Sequence, residues 1–274
     1  MHTDEPSLDP CRFLISMIEA EGVRYGREDS FKMSNARLLT KRVLLGIPTA
    51  NITAQRVFRW CDALGMPQRL KNALGEHLGD ANMVGVGAEE SGEHGAYKMY
   101  LEFWDKVRGL VRRTGQTDPM LLHLGFKWRV QGDGSDGRIA RYTCFPRLSV
   151  HDTLARIEQI YRGAATPTAQ DLAMGIVRRA ATARPGELFL YVETDEEGDA
   201  RRSFDINLYK SELTMRDIDS FLRGLGQHYS LPDAEFLPFI ARIGPHLLGH
   251  VSGGLDRGGL DATTLYYETQ ALEP

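Results

Sequence analysis

Cysteine is scarce. Cys11, Cys61 and Cys144 are odd in number, far apart, and form no CxxC pair. That excludes a disulfide framework or a zinc ribbon as the basis of the fold. Charge of one sign is also lacking: 33 Lys and Arg against 37 Asp and Glu give a formal net charge of -4. A globally basic nucleic-acid binder is therefore excluded, while a local basic cavity is not. No apolar run approaches the roughly 18 residues of a membrane span. The opening MHTDEPSLDP lacks the basic-then-apolar pattern of a signal peptide. The expectation is a cytoplasmic protein with neither nucleic-acid nor membrane partners. There is no P-loop, no GxGxxG after a strand, no HExxH and no GxSxG, so no short motif carries the chemistry.

What is present is ordinary for a soluble globular chain: 42% hydrophobic and 26% charged residues over 274 positions. A chain of this length can bury a large core unaided. One domain spanning 1–274 is expected, with residues 1–80 mostly helical and 81–270 forming repeats of hairpin and helix. Phe13, Leu14, Met17 and Ile18 share a face of a short helix. Residues 24–50 read as irregular. Val57, Trp60, Cys61 and Leu64 mark a helical face that Pro67 interrupts and Leu70 and Leu74 resume.

From residue 83 the period changes to two, and four hairpin signals follow. They are MVGVGAEE–SGEHG–AYKMYLEFW, LLHLGFKWRVQ–GDGSDG–RIARYTCFP, LFLYVET–DEEGDA–RRSFDINLYK and LLGHVSGGL–DRGG–LDATTLYYE. Each loop is rich in Gly and small or acidic residues, as turns require. Between hairpins the period returns to 3.6: one helix fits 105–117, and two fit each later gap. Ser149 with Asp152 and Thr168 with Asp171 have capping-box-like spacing, and Pro167 suits a helix start.

The strands have two faces. Met99, Leu101 and Phe103 oppose Lys98, Tyr100, Glu102 and Trp104. Phe204, Ile206 and Leu208 oppose Ser203, Asp205, Asn207 and Tyr209. Leu122, Leu124, Phe126, Trp128 and Val130 oppose His123, Gly125, Lys127 and Arg129. The apolar face suits a covering layer of helices. The polar face is either an open solvated sheet or, given its tyrosines and amides, the wall of a cavity. Eight antiparallel strands closing into a barrel would place that face in a lumen.

This pattern resembles the ABBA or PT-barrel prenyltransferases. AYKMYLEFW is similar to the family's Lys-x-Tyr strand, the order of hairpins and helices from 83 to 268 matches, and the closing LYYE resembles the last hairpin of the cyanobactin-type peptide prenyltransferases. The resemblance implies an α+β fold and an antiparallel β-barrel of hairpins with helices outside; four hairpins are clear where the family has five, so the fifth is either hidden in the N-terminal third or absent. It implies transfer of an allylic prenyl group from a diphosphate donor to an aromatic or peptide acceptor.

Under that reading Lys98, Lys127, Arg129 and Arg141 are candidates to bind the diphosphate, whose negative charge grows as the bond to the prenyl group breaks. Tyr100, Tyr191, Tyr209 and Tyr266 are candidates to shield the allylic cation, with Asn207 as scaffold. Glu89, Asp205 and His250 are candidate acid–base residues, as is Glu102. Gly85 and Gly87 beside Glu89 either leave room for substrate or mark a bend. No DDxxD cluster exists, so no tightly bound cofactor is expected; Mg2+ could accompany the diphosphate without protein ligands. Two alternatives stand beside this: another reaction on the same barrel, and a non-catalytic peptide- or partner-binding protein.

Overall fold

The computed structural model describes residues 9–90, 95–130, 137–198, 202–256 and 258–271. Eleven strands run in chain order: β1 Gly26–Ser34, β2 Arg37–Leu39, β3 Arg42–Pro48, β4 Met83–Glu89, β5 Ala96–Glu102, β6 Met120–Arg129, β7 Gly137–Phe145, β8 Leu190–Glu196, β9 Arg202–Asn207, β10 Leu248–Leu255 and β11 Asp261–Gln270. Each of β3 to β10 pairs antiparallel with the next, β3 pairs with β1, and β1 pairs with β11. The sheet therefore closes into a ten-strand barrel, with the short β2 attached to the end of β1. The tips of the hairpin loops expected at SGEHG, GDGSDG, DEEGDA and DRGG lie wholly or partly outside the described residues.

The four expected hairpins are β4–β5, β6–β7, β8–β9 and β10–β11. The fifth comes from residues 24–50, which form β1 and β3 rather than irregular chain, so the N-terminal part is not simply helical. Its signal is weak for a physical reason. GREDSFKMS has only Phe31 and Met33 on its apolar face, and RVLLGIP reads as a continuous apolar run because Leu44 points inward among polar neighbours.

The described residues hold eight α-helices: α1 Pro10–Ala20, α2 Ala54–Ala63, α3 Gln68–Leu78, α4 Trp104–Thr114, α5 Val150–Ile160, α6 Thr168–Ala183, α7 Asp219–His228 and α8 Asp233–Ile243. Their ends follow local chemistry. Asp9 caps α1 by accepting from the Cys11 and Arg12 amides, and Thr53 caps α2 through the Arg56 amide. Ser149 caps α5 through the Asp152 amide, as its spacing suggests. Thr168 does not cap α6: it is already helical, behind Pro167. Gly115, in the left-handed region, ends α4.

Seven helices cover the outside of the barrel in two core clusters. Phe31, Phe204, Ile206, Val251 and Leu265 pack against α5 to α8, and Val43, Leu45, Val84, Val86, Met99, Leu101 and Phe126 pack against α1 to α3. α4 differs. Its buried Val107 packs with the bulged Leu122 and with Cys144 and Val192, which register with lumen-side neighbours: Val192 lies opposite Asp205. Directly opposed residues in antiparallel strands share a face, so α4 lies against the inner wall at the end of the barrel away from the hairpin loops.

Phe204 is fully buried on the helix side and stacks on Tyr191 with centroids 6.4 Å apart. Phe204→Ala should cost about 3–5 kcal/mol in urea unfolding, and Phe204→Asp should abolish the cooperative transition. A soluble, cooperatively melting Asp variant would mean that the two faces of β9 are interchanged.

Candidate active site in the lumen

The pleat and the register decide which side chains meet inside. Arg42 on β3 lies opposite Glu89 on β4, and Lys98 on β5 opposite Lys127 on β6. All four reach a common point near the hairpin-loop end. Lys98 Nζ donates to Glu89 Oε2 at 2.6 Å, and Lys127 Nζ donates to Oε1 at 2.5 Å. Arg42 Nε lies 3.4 Å from Oε2, and its Nη1 donates to Thr264 Oγ1 at 3.3 Å. Three cations thus share one carboxylate, and the cluster holds an excess of positive charge.

Burial governs how these groups titrate. It disfavours the Glu89 anion, but Lys98, Lys127 and Arg42 outweigh it and hold the carboxyl well below its ordinary range. Burial pushes the Lys98 ammonium down, Glu89 opposes this, and the neighbouring Arg42 and Lys127 add to it, leaving the group at about 7. The buried Arg42 guanidinium is nonetheless held above its usual value by Glu89.

Tyrosines lie next to the cations. Tyr100 and Tyr142 meet edge to face at 5.8 Å, and Tyr266 lies 5.6 Å from the His250 ring. Burial, with Tyr142 and Tyr266 close by, raises the Tyr100 phenol well above its ordinary value, so it stays protonated. Room for the two rings comes from Gly125 opposite Tyr100. A Cβ there would lie 2.9 Å from Tyr142 and 3.1 Å from Tyr100.

The far wall carries the acid–base groups. His250 Nδ1 lies 2.6 Å from Asp205 Oδ1, and Nε2 lies 3.6 Å from Glu28 Oε1 and 3.3 Å from Asn207 Nδ2. The Tyr209 hydroxyl donates to Glu28. Gly249 admits the phenol, since a Cβ there would lie 2.7 Å from its oxygen. Burial would push the imidazole down, but Asp205 and Glu28 outweigh it and hold His250 at about 9. A third pair, Glu102 with His123 at 3.2 Å, is tied through Asn82 to the amide of Asp105 on α4.

The structure brings Lys98, Lys127, Glu89, Tyr100, Asp205, Asn207, His250 and Tyr266 together in the lumen. Arg129 is on the same side, opposite Ala96, but exposed at the rim. Tyr209 arrives by another route: β9 stops at Asn207, and Tyr209 starts a 3-10 turn. Two candidates do not belong. Arg141 lies opposite Leu124 and Asp195, on the outer face, and is exposed. Neither face of RIARYTCFP is apolar, so alternation alone leaves this parity open, and Tyr142, opposite His123, takes the inner position instead. Tyr191 lies opposite Ile206, faces the helices, and donates to Glu193. Gly85 and Gly87 are lined by Tyr100, Leu44 and the Val43 carbonyl, so their space is already taken by the wall.

Three residues of the site escape sequence reasoning. Glu28 and Arg42 sit on β1 and β3, in the stretch read as irregular; the alternation of Glu28, Ser30 and Lys32 with Phe31 and Met33 is the signal that finds them. Tyr142 is hidden by RIARYTCFP, where neither face is apolar. Among the described residues, no group of three His, Cys, Asp or Glu side chains could hold a metal ion, and no helix is long and apolar enough to cross a membrane.

A closed ten-strand antiparallel barrel, with seven helices outside and ionisable groups within, has the architecture of a PT barrel. Three solved structures carry the likeness. 5-Dimethylallyltryptophan synthase from Streptomyces coelicolor matches over 88% of this chain and 80% of its own, at 15% identity and a TM-score of 0.58. The NotF prenyltransferase matches over 89% and 81%, at 10% identity and a TM-score of 0.55. AnaPT from Neosartorya fischeri matches over 90% and 79%, at 11% identity and a TM-score of 0.51. At these identities the likeness establishes the fold. No protein-family model and no curated protein sequence matches the chain.

His250 makes a prediction about stability. Its folded value of about 9 exceeds the roughly 6.5 of an unfolded histidine. Its contribution is therefore complete below about pH 6.5 and disappears as pH rises through 9. His250→Gln should melt lower than wild type at pH 6.5, with the gap closing by pH 9.5. A gap that does not change with pH would rule out the charged His250–Asp205 pair.

Proposed function

We propose that this chain is a prenyltransferase-like enzyme that ionises an allylic diphosphate in its lumen and transfers the prenyl group to an aromatic acceptor. The observation that carries the reading is the cluster of Arg42, Lys98 and Lys127 beside Tyr100, Tyr142 and Tyr266. The C–O bond to the diphosphate breaks with the electron pair going to oxygen. The three cations stabilise the charge that develops there. The tyrosine faces stabilise the allylic cation and replace the water that would otherwise quench it.

The acceptor carbon attacks the cation, and the proton it loses needs a base. Glu89 is a poor one, because its carboxyl is held low. His250, at about 9, already carries its proton at neutral pH. The carboxylates beside it, Glu28 and Asp205, are the proton acceptors in this reading, with His250 and Tyr209 orienting them. The neighbours support an acceptor with an aromatic ring: one is a 5-dimethylallyltryptophan synthase, and one NotF structure, similar at a TM-score of 0.52, holds brevianamide F and DMSPP. Magnesium is not needed in this scheme, since side-chain cations supply the charge; if present, it would travel with the diphosphate.

Dimethylallyl diphosphate should raise the melting temperature more than inorganic pyrophosphate does, because only the former fills the tyrosine cage. No shift at millimolar ligand would remove the donor site. Lys98→Met should weaken dimethylallyl S-thiolodiphosphate binding by about tenfold or more while sparing the fold. Binding should also be proton-linked. Lys98 rests at about 7, and an anion raises the pKa of a nearby ammonium. Affinity in calorimetric titrations should therefore fall between pH 7.5 and 9, and Lys98→Arg should flatten that fall. A pH-independent wild type would exclude Lys98 as a ligand contact.

A further inference from the structure

Glu89 occupies an odd place for an acid. Both carboxylate oxygens are engaged, one by Lys98 and one by Lys127, and Arg42 approaches the first. Its side chain is 13% exposed, while that of Lys127 is 50% exposed. The carboxylate is thus the inner partner, and the lysine reaches in to it from the rim. The next acid round the wall, Glu196, is already paired with Arg138 at 2.8 Å. Glu89 is the carboxylate that these three cations share, and a diphosphate must use the same ammonium groups. Each Lys Nζ has three N–H donors and gives one to Glu89, so the lysines can bind a second anion without first releasing the carboxylate.

We propose that Glu89 is the internal counter-anion of the diphosphate site. It holds Lys98 and Lys127 in position while the site is empty, and it reduces the positive charge that the ligand meets. The cost is weaker binding of diphosphate. The gain is that the diphosphate released by the reaction departs instead of remaining as an inhibitor. Glu89 is then a positioning and affinity-setting residue, and proton transfer belongs to the opposite wall. This inference rests on the donor reading given above.

The test is calorimetric titration of the full chain and of Glu89→Gln with inorganic pyrophosphate and with dimethylallyl S-thiolodiphosphate. Gln keeps the shape and removes one negative charge a few ångströms from the ligand. Pyrophosphate should bind the variant about tenfold more tightly or better, with slower dissociation in stopped-flow. Equal or weaker pyrophosphate binding by Glu89→Gln, with wild type binding the thiolodiphosphate, overturns the inference and leaves the donor reading standing. Wild-type protein that binds neither ligand overturns the donor reading, and this inference with it. Three uncompensated cations can also weaken folding, so melting is recorded with and without pyrophosphate. The gain in melting temperature should be larger for the variant than for wild type; no gain, or a variant that stays unfolded with pyrophosphate, counts against Glu89 as a counter-anion.

Discussion

The pairing of β1 with β11 is the interaction on which the rest depends. Seven residues of β1, from Arg27 to Met33, register with β11. Without that ladder the sheet has two long edges, and every inner side chain faces open water. With it, no edge is left between the first and last barrel strands, and the polar face becomes the lining of an enclosed space. Arg42 shows the effect well. Its guanidinium is buried because Thr264 on β11 lies within reach of β3, two strands away across the seam. The seam also assembles the acid–base wall, since Glu28 comes from β1 and Asp205 and His250 from β9 and β10.

Enclosure makes charge expensive, and the lumen answers by grouping unlike charges. Leaving an ion unpaired in such a space costs several kcal/mol. Glu89 meets three cations, His250 meets two carboxylates, and Glu102 meets His123. The groups are segregated: positive excess near the hairpin loops, negative excess on the wall of β1, β9 and β10. A bipolar lumen of this kind orients an anionic molecule along one direction. The apolar contact of α4 with Cys144 and Val192 adds a dry patch towards the other end.

Much of this was legible in the sequence. Period-two runs bounded by Gly-rich turns gave four hairpins in order, and the contrast between Phe204 and Asp205, or between Met99 and Lys98, assigned the faces correctly. What failed did so for local reasons. The first hairpin was missed because charged residues alternate with too few apolar ones in GREDSFKMS. Arg141 reads as inward because neither face of RIARYTCFP is apolar, so alternation leaves the parity of β7 open; its partner Leu124 places it outside. Tyr191 departs from its expected parity because its apolar neighbour Val192 turns inward under α4, while Tyr191 lies opposite Ile206 on the helix side. The convergence of Arg42, Lys98 and Lys127 on Glu89 needed distances, since the four come from four strands.

A barrel's diameter is set by its number of strands and their stagger, and ten strands fix it here. The usable bore is a different quantity, because it is what remains after inner side chains have taken their share. At Gly125 the wall contributes a hydrogen atom, and the rings of Tyr100 and Tyr142 take the space a methyl group would have filled. Any larger residue there pushes both rings toward the axis. One codon can therefore narrow the passage without touching a backbone hydrogen bond, which separates the evolution of what the barrel admits from the evolution of how it folds.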